Sequence, residues 1–345
     1  MTAAPGIYSL SDVPRGSVEL RELLATPDSN RDVAWLQRML QFAIGLEFST
    51  IPPYLVAMWS IKDSSSPASL FLFSIVLQEM LHMGIACNLL NAIGGHAFID
   101  APHVVPRYPT SLPGGVHPGL VIQLQAISKP LIETIFMEIE KPENGPIAFF
   151  RGQTYPTIGA FYSAIATAFS KMCPSVITGE RQLVLTRPDF RLEAIRSISD
   201  ALAAIQLIKE QGEGTSSSPL YGPSADDKAH YYLFGEIYHE KALIEVSPGH
   251  WSYSGDDLPF PLPHEIYPMA PIPAAGYPES RPFNQKYSEM LHELQSAWQF
   301  GGTTGSTHLT NAFVLMGELG PLARTLMQTE ITPGGLTFGP SFHLA

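Results

Sequence analysis

The sequence predicts an all-α fold, a four-helix bundle with a long crossover connection and a proline-rich C-terminal helical extension. Two early segments repeat apolar residues at spacings of three and four, which is the period of one helix face. Residues 100–156 then carry many Pro and Gly, as a long connection between the second and third helices would. No part of the sequence is rich in strand patterns.

The first predicted helix covers residues 32–47, with Asp32 as its N-cap and Glu47 at the end of an apolar stripe. A carboxylate on an otherwise apolar stripe is unusual in a core and indicates a metal ligand. Pro52 and Pro53 follow, and they remove two helical N–H donors. We therefore expect the helix to kink or restart at this point.

The second helix has the clearest pattern, with apolar residues repeating over residues 72–93 until a Gly-Gly pair stops it. Glu79 and His82 occupy core positions in this stripe. Burial of both without a partner is costly, so a metal is their natural partner. The same stretch is apolar enough for a membrane span, but its polar centre and the lack of a second span favour a buried helix.

Later helices are less regular. A third is predicted over residues 157–172 and a fourth over residues 192–211. A Ser- and Gly-rich loop leads to a helix over residues 226–244, a candidate for the continuation of the fourth helix after a break. Two more helices are predicted near residues 283–298 and 308–328, beyond a stretch dense in proline.

These elements predict an N-terminal arm over residues 1–30 and a bundle over residues 31–250. A proline-rich linker and C-terminal helices packed on the bundle make up residues 251–345. The composition, 45% apolar and 15% charged, is typical of a compact folded protein.

The charge and the cysteines exclude several classes of function. A net charge of −12 repels phosphates and anionic lipids, so we expect no nucleic-acid and no membrane partner. Cys87 and Cys173 lie far apart, which gives neither a disulfide framework nor a thiolate zinc site. The first residues lack the pattern of a secretory signal, and we expect a cytoplasmic protein.

A carboxylate and an imidazole three positions apart point from adjacent turns of one helix face, so both can reach one metal. The matches are Glu79/His82, Glu236/His239 and Glu289/His292. The spacing alone is only mildly informative, and position on the helix must decide. Glu79 and His82, with Glu47, are predicted metal ligands, whereas Glu289 and His292 lie among polar residues and are predicted to face solvent.

The ligands from the last bundle helix stay open at this level. Glu213, His230, Glu236 and His239 all compete for its ligand positions, and their spacing does not separate them.

Several stretches appear together in one order. They are Glu47 with Ile51-Pro52-Pro53-Tyr54-Leu55, Glu79-Met80-Leu81-His82, residues 88–95, Gln211-Gly212-Glu213-Gly214, His230-Tyr231-Tyr232 with Phe234 and Glu236, and Gly339-Pro340-Ser341-Phe342. From about Arg31 to the end, the chain resembles the ferritin-like domain of the iminophenyl-pyruvate dimer synthase family, which is also part of chromopyrrolate and violacein pathway enzymes. The ordered combination is far more specific than a single Glu-x-x-His.

This resemblance implies a ferritin-like four-helix bundle that holds iron, one or two ions per chain. The implied ligands are Glu47, Glu79, His82, Glu213 and His230. In the family pattern the last bundle helix carries a Glu-x-x-His pair. In this chain the loop after Gly214 would separate the Glu of that pair, Glu213, from its His, His230. Glu236 or His239 would then contact a ligand or serve as an alternate ligand.

The third helix departs from the family pattern. After Thr157-Ile158-Gly159 the pattern has a Glu, whereas this chain has Ala160. A methyl group cannot replace a carboxylate ligand, so one ligand position is missing unless Glu138 or Glu140 serves it. The number of irons per chain is therefore left open.

The resemblance also implies a function, a non-haem iron-dependent oxidase or oxygenase in secondary metabolism. Its substrate would be a small aromatic or amino-acid-derived, imine-type molecule, with O2 or a peroxide as the second reactant. Aromatic residues that suit such a pocket, and suit core packing equally well, are Phe48, Tyr54, Phe161, Tyr162 and Tyr231.

Other functions and the assembly are left open by the same residues. The main alternative function is a non-catalytic metal-binding or scaffold relative with an incomplete di-iron site. Iron storage is a weaker third, because storage needs a shell of many subunits. The oligomeric state is also left open, with a homodimer as one alternative.

Overall fold

A computed structural model of the chain describes residues 22–113, 116–117, 119–142, 157–188, 190–215 and 218–345. Most of the predicted N-terminal arm and residues 143–156 of the predicted crossover lie outside these ranges. Helices dominate the described residues, and the predicted all-α bundle is confirmed. Two short antiparallel hairpins accompany the helices.

The first two helices, α1 (Val33–Ser60) and α2 (Pro67–Ala92), pack along each other and form the centre of the molecule. Asp32 is the N-cap of α1, as predicted, and its side chain accepts a hydrogen bond from the Trp35 N–H at 2.8 Å. Ser66 has the same role in α2, where Pro67 occupies the first turn and loses no helical hydrogen bond there.

The sequence predicted that α1 would kink or restart at Pro52 and Pro53. The helix continues through both residues without a restart. The carbonyl of Ser49 is the one that would accept from the missing N–H of Pro53. The buried hydroxyl of Tyr108 donates to this carbonyl instead, at 2.8 Å. A side chain from the crossover therefore replaces a backbone donor, and the helix can continue.

The crossover contains a short helix, α3, which was not predicted. It consists of Lys129–Leu131, a π-helical turn at Ile132–Phe136, and Met137–Ile139. Phe136 packs edge-on against Tyr54 of α1, with ring centroids 4.6 Å apart. This contact holds the end of α3 against the middle of the bundle.

The remaining bundle helices are α4 (Ile158–Ser170), α5 (Ile198–Glu213) and α6 (His230–His239). α4 packs on α5, while α6 contacts α2, α3 and α5. The fourth bundle element is thus broken into α5 and α6, as the sequence suggested. The break begins at Gly214, whose positive φ of 82° ends α5.

Two predicted helix ends were wrong because hairpins replace them. Strands β1 (Leu185–Arg187) and β2 (Phe190–Leu192) pair before α5, so the predicted start at residue 192 lies in a strand. The helix predicted to reach residue 244 ends at residue 239, and β3 (Lys241–Ser247) and β4 (His250–Asp257) follow. Glu240 adopts a left-handed conformation with φ of 56°, which stops the helix.

The last two helices, α7 (Arg281–Phe300) and α8 (Gly302–Gln328), form a helical hairpin that packs on α1 and α2. The Trp298 indole N–H of α7 donates to the side-chain oxygen of Asn88 on α2 at 2.9 Å. Phe342 from the C-terminal tail stacks on Trp59 of α1, with ring centroids 6.1 Å apart.

Among the described residues, α2 is the one helix long and apolar enough to cross a membrane. In its most apolar stretch, 61% of the residues are buried inside the protein. α2 contacts helices of both the bundle and the C-terminal hairpin, so its apolar surface is that of a core helix.

Candidate metal centre

Five side chains with carboxylate or imidazole groups meet in the middle of the bundle. They are Glu47 of α1, Glu79 and His82 of α2, Glu140 directly after α3, and His230 at the start of α6. All five are between 0 and 4% exposed. Such a concentration of ionisable groups in a core is costly unless a partner neutralises it.

The five side chains form two groups. Glu47, Glu79 and His82 can bring one ligand atom each within 4.8 Å of one another, and so can Glu79, Glu140 and His230. Glu79 belongs to both groups. The rings of His82 and His230 lie 5.5 Å apart and nearly parallel. The arrangement therefore offers two adjacent cation positions, each with one imidazole and two carboxylates, one of which is shared.

Both histidines turn Nδ1 towards the carboxylates. His230 Nδ1 lies 2.8 Å from Glu79 Oε1, and His82 Nδ1 lies 3.5 Å from Glu47 Oε2. On the opposite side, the Nε2 atoms of His82 and His230 lie 2.8 and 3.0 Å from amide oxygens, those of Gln211 and Gln78. An amide oxygen can only accept, so it keeps the proton on Nε2 and leaves Nδ1 as the donor atom for a metal.

Hydroxyl groups hold the outer oxygens of all three carboxylates. Tyr162 contacts Glu47 Oε1, Thr50 contacts Glu79 Oε2 and Tyr54 contacts Glu140 Oε1, at 2.5, 2.6 and 2.7 Å. Burial first, and then the adjacent carboxylates, hold the pKa of both phenols well above the usual value. The phenols therefore stay protonated and donate.

The charges of the centre favour a cation. In the part of the chain that the structure describes, neither Lys nor Arg forms an ion pair with these three carboxylates. Burial, followed by the charge of Glu140, raises the pKa of Glu79 to about 7. Burial alone would lower the pKa of His230, but Glu140 and Glu79 outweigh it and raise that pKa to about 10. Without a metal, the cluster must hold protons to limit its own repulsion.

One atom supports metal binding directly. His230 Nδ1 is buried, and the nearest acceptors, Glu79 Oε1 at 2.8 Å and Glu140 Oε2 at 3.6 Å, do not form a hydrogen bond with it. Buried polar atoms in folded proteins nearly always have a hydrogen-bond partner. A cation held by these two carboxylates would use the Nδ1 lone pair once its proton is displaced. The residues present therefore fit a metal ion.

The structure brings together four of the five ligands that the resemblance implied: Glu47, Glu79, His82 and His230. The fifth, Glu213, lies outside both groups. Its Oε1 accepts a hydrogen bond from the Gly159 N–H at 2.7 Å, in the first turn of α4. A helix N-terminus stabilises a carboxylate, which explains this placement. Glu140, named above only as an alternate ligand, occupies the third carboxylate position.

The other alternates lie outside the centre. Glu138 forms an ion pair with Lys141 at 3.0 Å, and the buried Glu236 forms one with Lys228 at 2.5 Å. His239 is exposed and stacks on the ring of a tyrosine. None of these three side chains belongs to either group of metal-binding residues among the described ones.

Ala160 was expected to mark a missing ligand position on the third bundle helix. The α4 residue that contacts the centre is Tyr162, through Glu47. Residues two apart on a helix point roughly 200° apart, so Ala160 and Tyr162 cannot both face the centre. The third bundle helix thus supplies a hydroxyl donor in place of a carboxylate.

The hydrogen-bonding residues around the ligands were missed by sequence reasoning. Gln78 directly precedes Glu79, and Gln211 belongs to one of the motif stretches, but neither carries a spacing rule of its own. The sequence pattern that could have identified them is a polar side chain on the inward face of a helix whose other inward residues are apolar. Tyr54 and Tyr162 were named for a substrate pocket, and instead their hydroxyls contact the carboxylates.

A cavity of about 920 Å3 opens between α2, the β1–β2 hairpin and α5. Its lining includes Phe73, Phe190 and Tyr221, and also Gln78 and Gln211, the two amides that contact the histidines. The volume lies in the range of small-molecule sites. The cavity therefore reaches the metal centre through the hydrogen-bond partners of its imidazoles.

The bundle, its broken fourth element and the buried carboxylate–histidine cluster define the class of ferritin-like proteins. Residues 40–239 match the Ferritin-like family, and the chain belongs to it. A crystal structure of a ferritin-like protein from Caulobacter vibrioides superposes over 99% of this chain and 100% of that chain, with a TM-score of 0.60 and 20% identity.

A distant relative has a known activity. Dichlorochromopyrrolate synthase of Lentzea aerocolonigenes is 24% identical over an alignment of 323 positions, and the match covers 79% of this chain. The chain spans 29% of the length of that relative, which is therefore a much larger protein.

Proposed function

We propose that this protein is a non-haem iron-dependent oxidase or oxygenase that acts on a small aromatic or amino-acid-derived, imine-type molecule in secondary metabolism. The observation that carries the proposal is the convergence of three buried carboxylates and two Nδ1-directed imidazoles on two adjacent positions. The distant relationship to a synthase of secondary metabolism supports the substrate class.

Iron is the metal that this donor set and fold favour, and it would supply redox chemistry with O2 or a peroxide. Glu47 and His82 would hold one ion, Glu140 and His230 the other, and Glu79 would contact both. Nitrogen and carboxylate donors with no thiolate disfavour copper(I) and iron–sulfur clusters.

The surrounding residues prepare the centre for this chemistry. Gln78 and Gln211 fix the orientation of the imidazoles, and the hydroxyls of Tyr54, Thr50 and Tyr162 fix that of the carboxylates. The packed aromatic rings around Tyr54 keep bulk water away from Glu140. The substrate would enter through the cavity beside α2 and α5, whose wall combines apolar rings and amides.

The test is anaerobic reconstitution with iron(II), followed by metal analysis and measurement of O2 uptake on exposure to air. The proposal predicts iron bound at up to two ions per chain and O2 uptake that depends on it. Absence of iron binding by the folded wild-type protein contradicts the proposal.

A second candidate is a metal-binding or scaffold relative without catalysis. The observation that favours it is the hydroxyl of Tyr162 where the third bundle helix could have supplied a fourth carboxylate. The same experiment separates the two functions. Iron that the wild-type protein binds without consuming O2, with or without a reductant, supports the scaffold role.

A further inference from the structure

One tyrosine contacts the centre through a hydrogen-bond partner of its imidazoles. Tyr221 lies on the loop between α5 and α6, in the wall of the cavity beside the centre. The Gln78 side-chain N–H donates to the Tyr221 hydroxyl at 3.2 Å. Burial, followed by the charge of Asp227, raises the pKa of this phenol. The amide that contacts His230 therefore also contacts Tyr221.

The hydrogen-bonding capacity of these groups gives the contacts a direction. Gln78 uses its amide oxygen on His230 Nε2 and its NH2 group on Tyr221. The phenol oxygen thus accepts from an amide, and its own O–H remains to donate. Within the described ranges, no protein acceptor for this O–H is found, and the cavity lies beside it. An oxygen atom of a molecule in the cavity is a suitable acceptor.

The backbone fixes Tyr221 relative to the centre. Its N–H donates to the carbonyl of Asp227 at 2.9 Å, and Leu220 pairs with Lys228 in an antiparallel bridge. Lys228 lies two residues before His230. A displacement of Tyr221 is therefore passed to the start of α6 as well as to the Gln78 amide.

We infer that Tyr221 is a positioning residue for the metal position of His230. It holds the Gln78 amide, and a cavity occupant that accepts the Tyr221 O–H is thereby joined to His230 by consecutive hydrogen bonds. The inference rests on the proposed metal centre. It assigns a role to a loop residue that supplies no ligand.

The experiment is a titration of the metal-free protein with cobalt(II), followed by visible absorption, which reports the coordination of each bound ion. Gln211→Leu should weaken the position of His82, and Gln78→Leu that of His230, each by about 10- to 100-fold. Gln211→Glu and Gln78→Glu retain an acceptor and should restore most of the lost affinity.

Tyr221→Phe is the decisive variant. The cobalt(II) position of His230 should weaken several-fold and its absorption band should change, as in Gln78→Leu, whereas the position of His82 should keep its wild-type affinity and band. Ser74→Ala removes a hydroxyl from the wall of the same cavity and serves as the control, with wild-type affinities expected. Melting curves show that each variant is folded.

The outcomes separate this inference from the function it rests on. A folded wild-type protein that takes up no cobalt(II) overturns the metal centre and the inference with it. Wild-type affinities and spectra in Tyr221→Phe, alongside losses in the glutamine variants, overturn the role of Tyr221 and leave the proposed function intact.

Discussion

Glu79 is the side chain on which both proposed metal positions depend, because the two candidate groups found among the described residues share it. It is buried beside Glu47 and Glu140, and burial raises its pKa to about 7, with Glu140 adding to the rise. His230 has its pKa raised to about 10, because Glu140 and Glu79 outweigh burial. At neutral pH the metal-free centre therefore holds protons that a metal must displace.

This proton content predicts a pH-dependent metal affinity. Iron(II) binding should release protons, and the affinity should rise between about pH 6 and about pH 8, because the proton on Glu79 is lost in that range and the proton on His230 becomes easier to displace. Anaerobic titrations at three pH values, in weakly buffered solution with a pH indicator, measure both effects. An affinity that falls with pH would contradict this account of the charges.

Replacement of an imidazole ligand tests the centre at a single residue. His82→Ala removes the Nδ1 donor next to Glu47, and iron content should fall sharply. The matched control is the double variant Glu289→Ala/His292→Ala, which has the same Glu-x-x-His spacing. Those two side chains are 57% and 74% exposed, as the sequence predicted. Their removal should leave iron content unchanged and stability within about 0.5 kcal/mol.

Individual ligand residues could be predicted from the sequence where they lie on a helix with a regular apolar repeat. Glu79 and His82 stood out because the other members of their helical stripe, from Leu72 to Ile93, are apolar. The choice between Glu140 and Glu213 was not accessible in the same way. Glu140 follows a short helix with a π-helical turn in the crossover, and no periodic pattern marks such a segment. Glu213 matched a motif word, but its carboxylate contacts the first turn of α4.

At the scale of elements, α1 shows how tertiary contacts override local rules. Two consecutive prolines predict an interruption, yet the helix continues for seven residues beyond Pro53. The donor that replaces the lost backbone N–H is Tyr108, 55 positions further along the chain. A sequence window around Pro53 does not contain this residue. The helix ends at residues 198 and 239 were missed for a related reason, since both depend on hairpin pairing.

The role of Tyr108 can be tested by stability. Tyr108→Phe leaves the buried carbonyl of Ser49 without a donor and should cost about 1–3 kcal/mol of unfolding free energy. Tyr277→Phe is the control, because its hydroxyl contacts an exposed carbonyl that water can reach, and it should cost less than about 0.5 kcal/mol. Urea unfolding of both variants gives the two values. Equal values would show that the Ser49 carbonyl is satisfied in another way.

At the scale of the whole molecule, the C-terminal helical hairpin and tail pack against the bundle. Phe342 is 1% exposed and contacts the rings of Trp59, Phe283 and Tyr287, so that the tail joins α1 to α7. The sequence predicted both late helices and the terminal motif, but not this contact, because a packing partner so distant in the chain leaves no local pattern. The tail therefore stabilises the packing of α7 on α1.

Because the Phe342 ring is packed among three other aromatic rings, its removal should cause a large loss of stability. Phe342→Ala should cost about 3–5 kcal/mol, since it leaves a void among three aromatic rings. Phe300→Ala, at a ring that is 54% exposed, should stay within about 0.5 kcal/mol. Denaturant unfolding measures both. A small effect of Phe342→Ala would mean that the tail is only loosely attached to the bundle.

The central claim is that three carboxylates, from Glu47, Glu79 and Glu140, and two imidazoles hold the metal inside the bundle. The most direct measurement is the iron content of Glu140→Ala and Glu213→Ala after identical anaerobic reconstitution. The structure predicts a marked loss in Glu140→Ala, where His230 loses its second carboxylate, and wild-type content in Glu213→Ala. The opposite result, with iron lost in Glu213→Ala and retained in Glu140→Ala, would contradict the centre described above.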